Sequence, residues 1–64
     1  LLLELHPDVL DRDKQTPEDL FALAESIRDF QWLVPLKANR EIDRARTFYS
    51  QFKLQQYDVI GIAG

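Results

Sequence analysis

A capped helix followed by an apolar run with a proline constrains this chain more than any other feature. Thr16 suits a helix N-cap, Pro17 suits the first helical position, and the acids after them favour the positive end of the helix dipole. Asp19 stands three residues after Thr16, in the position of the second capping-box residue. Apolar residues then recur at helical spacing, at Leu20, Leu23, Ala24, Ile27 and Phe30. We predict a helix over residues 17–30 that packs this stripe against the core.

The other predicted elements lie on both sides of this helix. The apolar run at residues 32–36 contains Pro35, which ends the helix and limits a strand to an edge or a bulge. Residues 40–53 again show helical spacing, with Asn39 as a cap and an apolar face of Ile42, Ala45, Phe48, Tyr49 and Phe52. Residues 1–5 and 57–64 favour strands, and residues 8–15 a loop with room for one helical turn. We therefore predict an α/β or α+β fold with two helices and two or three short strands.

The length allows one small domain, residues 1–64, which buries only about 60 % of its unfolded surface. There is no cysteine for a disulfide, and one histidine without cysteine excludes the usual zinc ligand sets. Because the chain begins with Leu1 and ends at Gly64 after an apolar run, we expect a fragment of a larger protein. The missing burial is then expected from a partner chain or from the remainder of the same protein.

Composition and charge narrow the function classes. The apolar share of 45 % and the charged share of 30 % are typical of a globular domain, and no apolar run approaches the roughly 20 residues that span a bilayer. We therefore expect a cytoplasmic protein without membrane contact. Residues 1–30 contain eight acids and three bases, whereas residues 31–64 contain five bases and three acids. The acidic half disfavours nonspecific DNA binding, so nucleic acid is expected only through a parent protein.

Residues 5–36 resemble the N-terminal domain of the ParB family within the ParB/sulfiredoxin superfamily. The family's strand, Pro, Arg, helix and Pro-Leu order is matched at Pro7, Arg12, Leu20, Leu23, Ala24, Ser26, Ile27, Pro35 and Leu36. The resemblance implies CTP binding and DNA partitioning in the parent protein, with Arg12 as a phosphate contact. Gln31 stands where the family has glycine, and the family's arginine pair does not follow Gly61. The nucleotide site is therefore expected to be incomplete here, and sulfiredoxin's cysteine is absent.

A second resemblance covers residues 57–64. The segment YDVIGIAG is similar to the strand that enters the Walker A loop of P-loop kinases, with Gly64 as the first loop glycine. The backbone amides of such a loop bind phosphate. This resemblance implies ATP binding in the parent protein, with Gly61 and Gly64 near the phosphates. The lysine and the Ser/Thr of the loop are not in this chain, so no cofactor is expected in this piece.

Each candidate site residue also has an ordinary structural interpretation. Arg12 stands among aspartates that it can pair with on the surface, and Gly61 can serve close packing inside a strand. The basic residues Lys37, Arg40 and Arg44 form a row away from the apolar face of the predicted second helix, and this row either binds an acidic partner or is solvated. Trp32 is interpreted as a core or partner-contacting residue. No arrangement of catalytic residues and no metal site is predicted.

Three hypotheses of function follow. The first is a ParB-like fragment of a nucleotide- or DNA-associated protein without a complete catalytic site. The second is the N-terminal part of a P-loop kinase or NTPase that ends before its phosphate loop. The third is a small non-catalytic protein–protein interaction module that completes its core with a partner or a second copy. Whether the parent protein is an enzyme is left open.

Overall fold

The computed structural model describes all residues from 1 to 64. The elements follow in the order β1 (Leu2–Leu5), α1 (Pro7–Arg12), α2 (Pro17–Glu25), β2 (Phe30–Val34), a 3-10 turn (Pro35–Lys37), β3 (Arg40–Glu41), α3 (Phe48–Gln51) and β4 (Tyr57–Ala63). The predicted mixed class is confirmed, since helices and an antiparallel sheet form one small unit. The numbers differ from the prediction, because there are three α-helices and four strands.

The four strands form one antiparallel sheet in the order β1-β4-β2-β3. The last strand of the chain is thus central, with Leu5 of β1 opposite Tyr57 and Trp32 of β2 opposite Gly61. The buried strand residues point to the side that carries the helices: the Trp32 ring lies 5.0 Å from that of Phe21 in α2. The Tyr57 ring likewise lies 5.4 Å from that of Phe48 in α3. The sheet is therefore covered by helices on one face.

Helix α2 begins where the sequence predicts, with a complete capping box. The Thr16 hydroxyl accepts a hydrogen bond from the Asp19 backbone N–H at 3.2 Å, and the Asp19 carboxylate accepts one from the Thr16 N–H at 2.9 Å. Pro17 occupies the first helical position. Aspartate thus serves as well as the usual glutamate in the second position of this box.

The predicted apolar stripe of α2 and its predicted end are wrong. The helix stops at Glu25 with Ser26 as its C-cap, whose hydroxyl donates to the Leu23 carbonyl, so Ile27 lies beyond the helix. Leu23 and Ile27 are 69 % and 78 % exposed, and Phe21 is fully buried instead. The helix is rotated because Phe21 offers more apolar area to the Trp32 ring than a leucine does. The buried side of α2 consists of Pro17 and Phe21, with Leu20 and Ala24 partly buried.

The predicted helix over residues 40–53 is also wrong. Ala38 and Asn39 adopt left-handed backbone conformations, with φ of 56° and 58°, and turn the chain back beside β2. Arg40 and Glu41 then pair with Val34 and Leu33 as β3. Only residues Phe48–Gln51 form a helix. The left-handed turn and the strand pairing replace the first half of the expected helix.

The loop between β3 and α3 is held by the side-chain amide of Gln51. Its oxygen accepts from the Asp43 N–H at 2.7 Å, and its nitrogen lies 2.8 Å from the Asp43 carbonyl and 3.0 Å from that of Thr47. Asp43 in turn accepts from the Ala45 N–H. These bonds satisfy backbone groups that a helix would otherwise satisfy.

Ten apolar residues form the core: Leu5, Leu10, Phe21, Trp32, Val34, Ile42, Phe48, Phe52, Tyr57 and Val59. Gly61 makes room for the largest of them, because a Cβ at this position would lie 2.6 Å from Cζ3 of Trp32 and 3.1 Å from Cδ1 of Phe30. Several large apolar side chains stay outside this core, among them Leu36 and Leu54, which are 65 % and 70 % exposed. Further burial by a partner chain or by the remainder of the same protein stays a prediction.

Candidate functional site

One face of the sheet is not covered by the helices of the chain. Successive strand residues point to opposite faces, so the residues that alternate with the core residues along each strand point away from the helices. We call this the outer face; it consists of Leu2, Glu4, Gln31, Leu33, Glu41, Asp58, Ile60 and Ile62. Leu33 is half-buried and the other seven are exposed. No helix of the chain packs against this face.

An apolar row crosses the centre of the outer face. Leu2 of β1 lies opposite Ile60 of β4, and Ile60 lies opposite Leu33 of β2. Ile62 is the next outward residue of β4. Leu2 is 61 % exposed and Ile62 47 %. Directly opposed side chains in a sheet contact one another, so these four residues form a continuous patch and not scattered exposures.

Acidic residues flank the apolar row. Glu4 and Asp58 are directly opposite each other on β1 and β4, and Glu41 lies beyond Leu33 at the β3 end of the row. Neither Asp58 nor Glu41 takes part in an ion pair, and Glu4 has only His6, whose Nε2 lies 3.2 Å from its carboxylate. All three charged residues on the outer face are therefore acids. The fourth polar residue, Gln31, is neutral.

Models of protein families, curated proteins and solved structures contain no match to this chain. The surface and its chemistry must therefore be interpreted from its own residues. Within them, no group of three or more His, Cys, Asp or Glu side chains is arranged to hold a metal ion. Nor does any helix combine the length and the apolar character that crossing a bilayer demands.

The three predicted phosphate-binding residues lie apart from one another. Arg12 is exposed at the end of α1 and pairs with Asp13, with 3.5 Å between Nε and Oδ1. Gly61 is in the middle of β4 against Trp32, and Gly64 donates its N–H to the Asp29 carbonyl. The close neighbours of the two glycines are therefore Leu1, residues of β2 and Asp29, and not Arg12. The structure assigns Gly61 a packing role, which is the ordinary interpretation of this residue.

The four predicted partner-binding residues do not share a surface. Trp32 is 1 % exposed and belongs to the core, which no partner can reach. Without the predicted helix, the basic row does not form: the Arg40 guanidinium lies 5.0 Å from the centre of the Phe52 ring, on the helix-covered side. Arg44 is held by Glu25, and Lys37 is exposed in the 3-10 turn. Lys37 and Arg40 are exposed cations without an ion pair, but Arg40 lies over the Phe52 ring.

Glu25 joins three elements through its carboxylate. The Arg44 guanidinium donates two hydrogen bonds of 2.8 Å to its two oxygens, and the Trp32 indole N–H donates one of 2.9 Å. The hydrogen bonds from Arg44 keep the pKa of Glu25 below its ordinary value of 4.5, although partial burial opposes the shift. The same pair raises the pKa of Arg44. This cluster fixes the loop after β3 against α2 and is structural.

On the helical side of the molecule, a groove of about 420 Å³ lies between α1, the start of α2 and α3. Asp8, Asp11 and Glu18 line it together with Tyr49, whose hydroxyl has no hydrogen-bond partner. Burial, and then the Glu18 charge, raise the pKa of Tyr49 above 10.0. At neutral pH the phenol is therefore uncharged.

The sequence carried a signal for the outer face that composition and family motifs did not reveal. In YDVIGIA the residues Asp58, Ile60 and Ile62 alternate with Tyr57, Val59 and Gly61. Such alternation is typical of a strand with two different faces. Both sets are largely apolar, so the pattern alone does not show which set is buried. The position of the helices decides it.

Proposed function

We propose that this chain is a non-catalytic protein–protein interaction module that binds a partner through the outer face of its sheet. The apolar row of Leu2, Ile60, Leu33 and Ile62 carries the proposal, because it lies uncovered on the face of the sheet opposite the core. Uncovered apolar patches of this kind are typical of interaction sites. The proposal includes the cytoplasmic setting that the composition predicts.

A peptide-display selection against the immobilised, folded chain tests this function. We expect selected peptides to bind the wild-type chain and to lose about tenfold or more in affinity when Ile60→Thr and Leu2→Thr are combined. Threonine suits a strand, so this variant keeps its backbone preference. Leu23→Gln on α2 is the matched control, since it replaces an equally exposed leucine outside the sheet. Circular dichroism confirms that each variant is folded.

Two results contradict the proposal. One is a selection that returns no peptide whose binding depends on Ile60 or Leu2. The other is a set of peptides that the Leu23→Gln control disrupts as strongly as the double variant does. In that second case the interaction surface is α2 and not the sheet.

The nucleotide-related hypotheses stay predictions. A ParB-like or P-loop origin concerns a parent protein, and the residues that would complete either phosphate site are not in this chain. Calorimetric titration of the chain with CTP tests the ParB-like hypothesis, and titration with ATP tests the P-loop hypothesis. We expect no binding in the micromolar range, and such binding would revive the corresponding hypothesis. Unchanged affinity in Arg12→Gln would then rule out Arg12 as the phosphate contact.

A further inference from the structure

The charges on the outer face have one sign. Glu4 and Asp58 lie along one side of the apolar row and Glu41 lies at its β3 end, whereas the basic residue of β3, Arg40, points to the opposite face. Opposed like charges destabilise a pair of strands. Because Glu4 and Asp58 are such a pair, the sheet keeps an unfavourable contact beside its apolar row. A cation placed over these carboxylates would relieve that repulsion.

From this charge pattern we infer that the outer face selects a cationic amphipathic segment of a partner protein. The segment presents an apolar stripe to Leu2, Ile60 and Leu33 and places Lys or Arg side chains over the flanking carboxylates. The inference rests on the proposed function and adds the chemistry of the partner. Three strand spacings separate β1 from β3, or about 14 Å, and a helix of about ten residues has this length.

The same charges disfavour other occupants. A second copy that packed its outer face on this one would bring acids toward acids and supply no base from either sheet. Nucleic acid and anionic lipid surfaces carry the same sign as the flanking residues. A neutral apolar peptide would bury the row but leave the Glu4–Asp58 repulsion in place. A cationic amphipathic segment satisfies both features of the face.

Two matched peptides test the inference on the folded 64-residue chain. Each has about 14 residues with leucines at helical spacing, and the remaining positions are lysine in one peptide and glutamate in the other. Titrations of the ¹⁵N-labelled chain are followed by NMR at low and moderate salt. We expect the lysine peptide to bind about tenfold tighter than the glutamate peptide, with shifts in β1, β2 and β4, and salt to reduce this difference.

Variants separate local recognition from net charge. Combining Glu4→Gln with Asp58→Asn should lower the affinity for the lysine peptide severalfold and should not lower the affinity for the glutamate peptide. Combining Asp8→Asn with Asp11→Asn is the control, because it removes two exposed acids from α1 on the other side of the sheet. Ile60→Thr should lower the affinity for both peptides. Urea denaturation shows that each variant is folded at the titration temperature.

The outcomes distinguish this inference from the proposed function. Equal binding of both peptides, with loss of both in Ile60→Thr, overturns the cationic partner and leaves the interaction surface standing. An equal effect of the α1 control and the outer-face variant overturns local recognition. Failure of both peptides to bind overturns the inference, whereas the display selection decides the proposed function independently.

Discussion

Two residues decide how Trp32 sits in the core. Gly61 on β4 leaves space beside the Trp32 ring, and the Glu25 carboxylate on α2 accepts a hydrogen bond from the indole N–H. A fully buried tryptophan needs both, because its area must be packed and its N–H must be satisfied. Either residue can be replaced without changing the charges near the outer face. The contribution of the Trp32 contacts to the free energy of unfolding can therefore be measured separately.

Gly61→Ala should destabilise the fold. The added methyl group would stand 2.6 Å from the Trp32 ring, and overpacking of this kind costs about 1–3 kcal/mol. Gly64→Ala is the matched control, since a Cβ there would meet only Asp29 at 3.7 Å. Urea denaturation measures both variants. Equal stability of the two would show that the Trp32 ring shifts freely.

The Glu25 carboxylate should make stability depend on acid pH. Its pKa is lowered in the folded chain, so the unfolded chain binds the proton more readily and the stabilisation is present above about pH 4.5. It is lost as the pH falls below that value. Glu25→Gln should cost about 1 kcal/mol at neutral pH and should reduce this acid dependence.

Unfolding curves between pH 3 and pH 7 provide the measurement for Glu25. Asp11→Asn, which removes an exposed acid on α1, is the control and should leave the acid dependence close to that of the wild type. A Glu25→Gln variant with the full acid dependence would show that other carboxylates carry it.

Among the elements, α3 depends most on a contact from elsewhere. It contains four residues, too few for a helix to be stable alone. The Glu18 carboxylate on α2 accepts the Phe48 N–H at 2.8 Å, and thus caps α3 from outside it. Thr47, the residue at the N-cap position, makes no such side-chain bond. The beginning of α3 is therefore determined by α2.

Glu18→Ala should loosen α3 and destabilise the chain by about 1 kcal/mol. Glu18→Gln keeps an oxygen that accepts the bond, so it should retain most of the stability. Because the Glu18 charge helps to raise the pKa of Tyr49, both variants should lower the pKa of Tyr49 toward 10.0. Ultraviolet titration in a Tyr57→Phe background follows Tyr49 alone. An unchanged Tyr49 titration would contradict this electrostatic link.

As a whole, the molecule has the surface of a folded monomer. Its accessible area of 4403 Å² is close to the roughly 4,250 Å² expected for its mass. Its radius of gyration of 11.0 Å also agrees with the about 11 Å expected for its length. The exposed apolar row is therefore part of a compact molecule.

We expect the free chain to be monomeric, because the acids of the outer face repel those of a second copy. Sedimentation equilibrium over a wide concentration range measures this. Combining Glu4→Gln with Asp58→Asn should promote self-association through the apolar row. A wild-type dimer that Ile60→Thr dissociates would mean that a second copy occupies the outer face.

Local sequence chemistry alone determined where α2 begins and that β4 is a strand. The capping residues Thr16, Pro17 and Asp19 act within one turn, and the extended pattern at residues 57–63 follows from its β-branched residues. The mixed class followed from these elements. Interactions between near neighbours suffice for such predictions, since the groups that stabilise each element lie within it.

Only the tertiary structure decided which side of each element is buried. Phe21 replaced Leu23 on the covered side of α2 because Trp32 lies across from it, and residues 40–41 joined β2 because a left-handed turn brought them there. The outer face likewise exists because all helices pack on one side of a sheet whose strands are largely apolar on both. Burial depends on contacts between residues far apart in the chain, and local periodicity does not contain them.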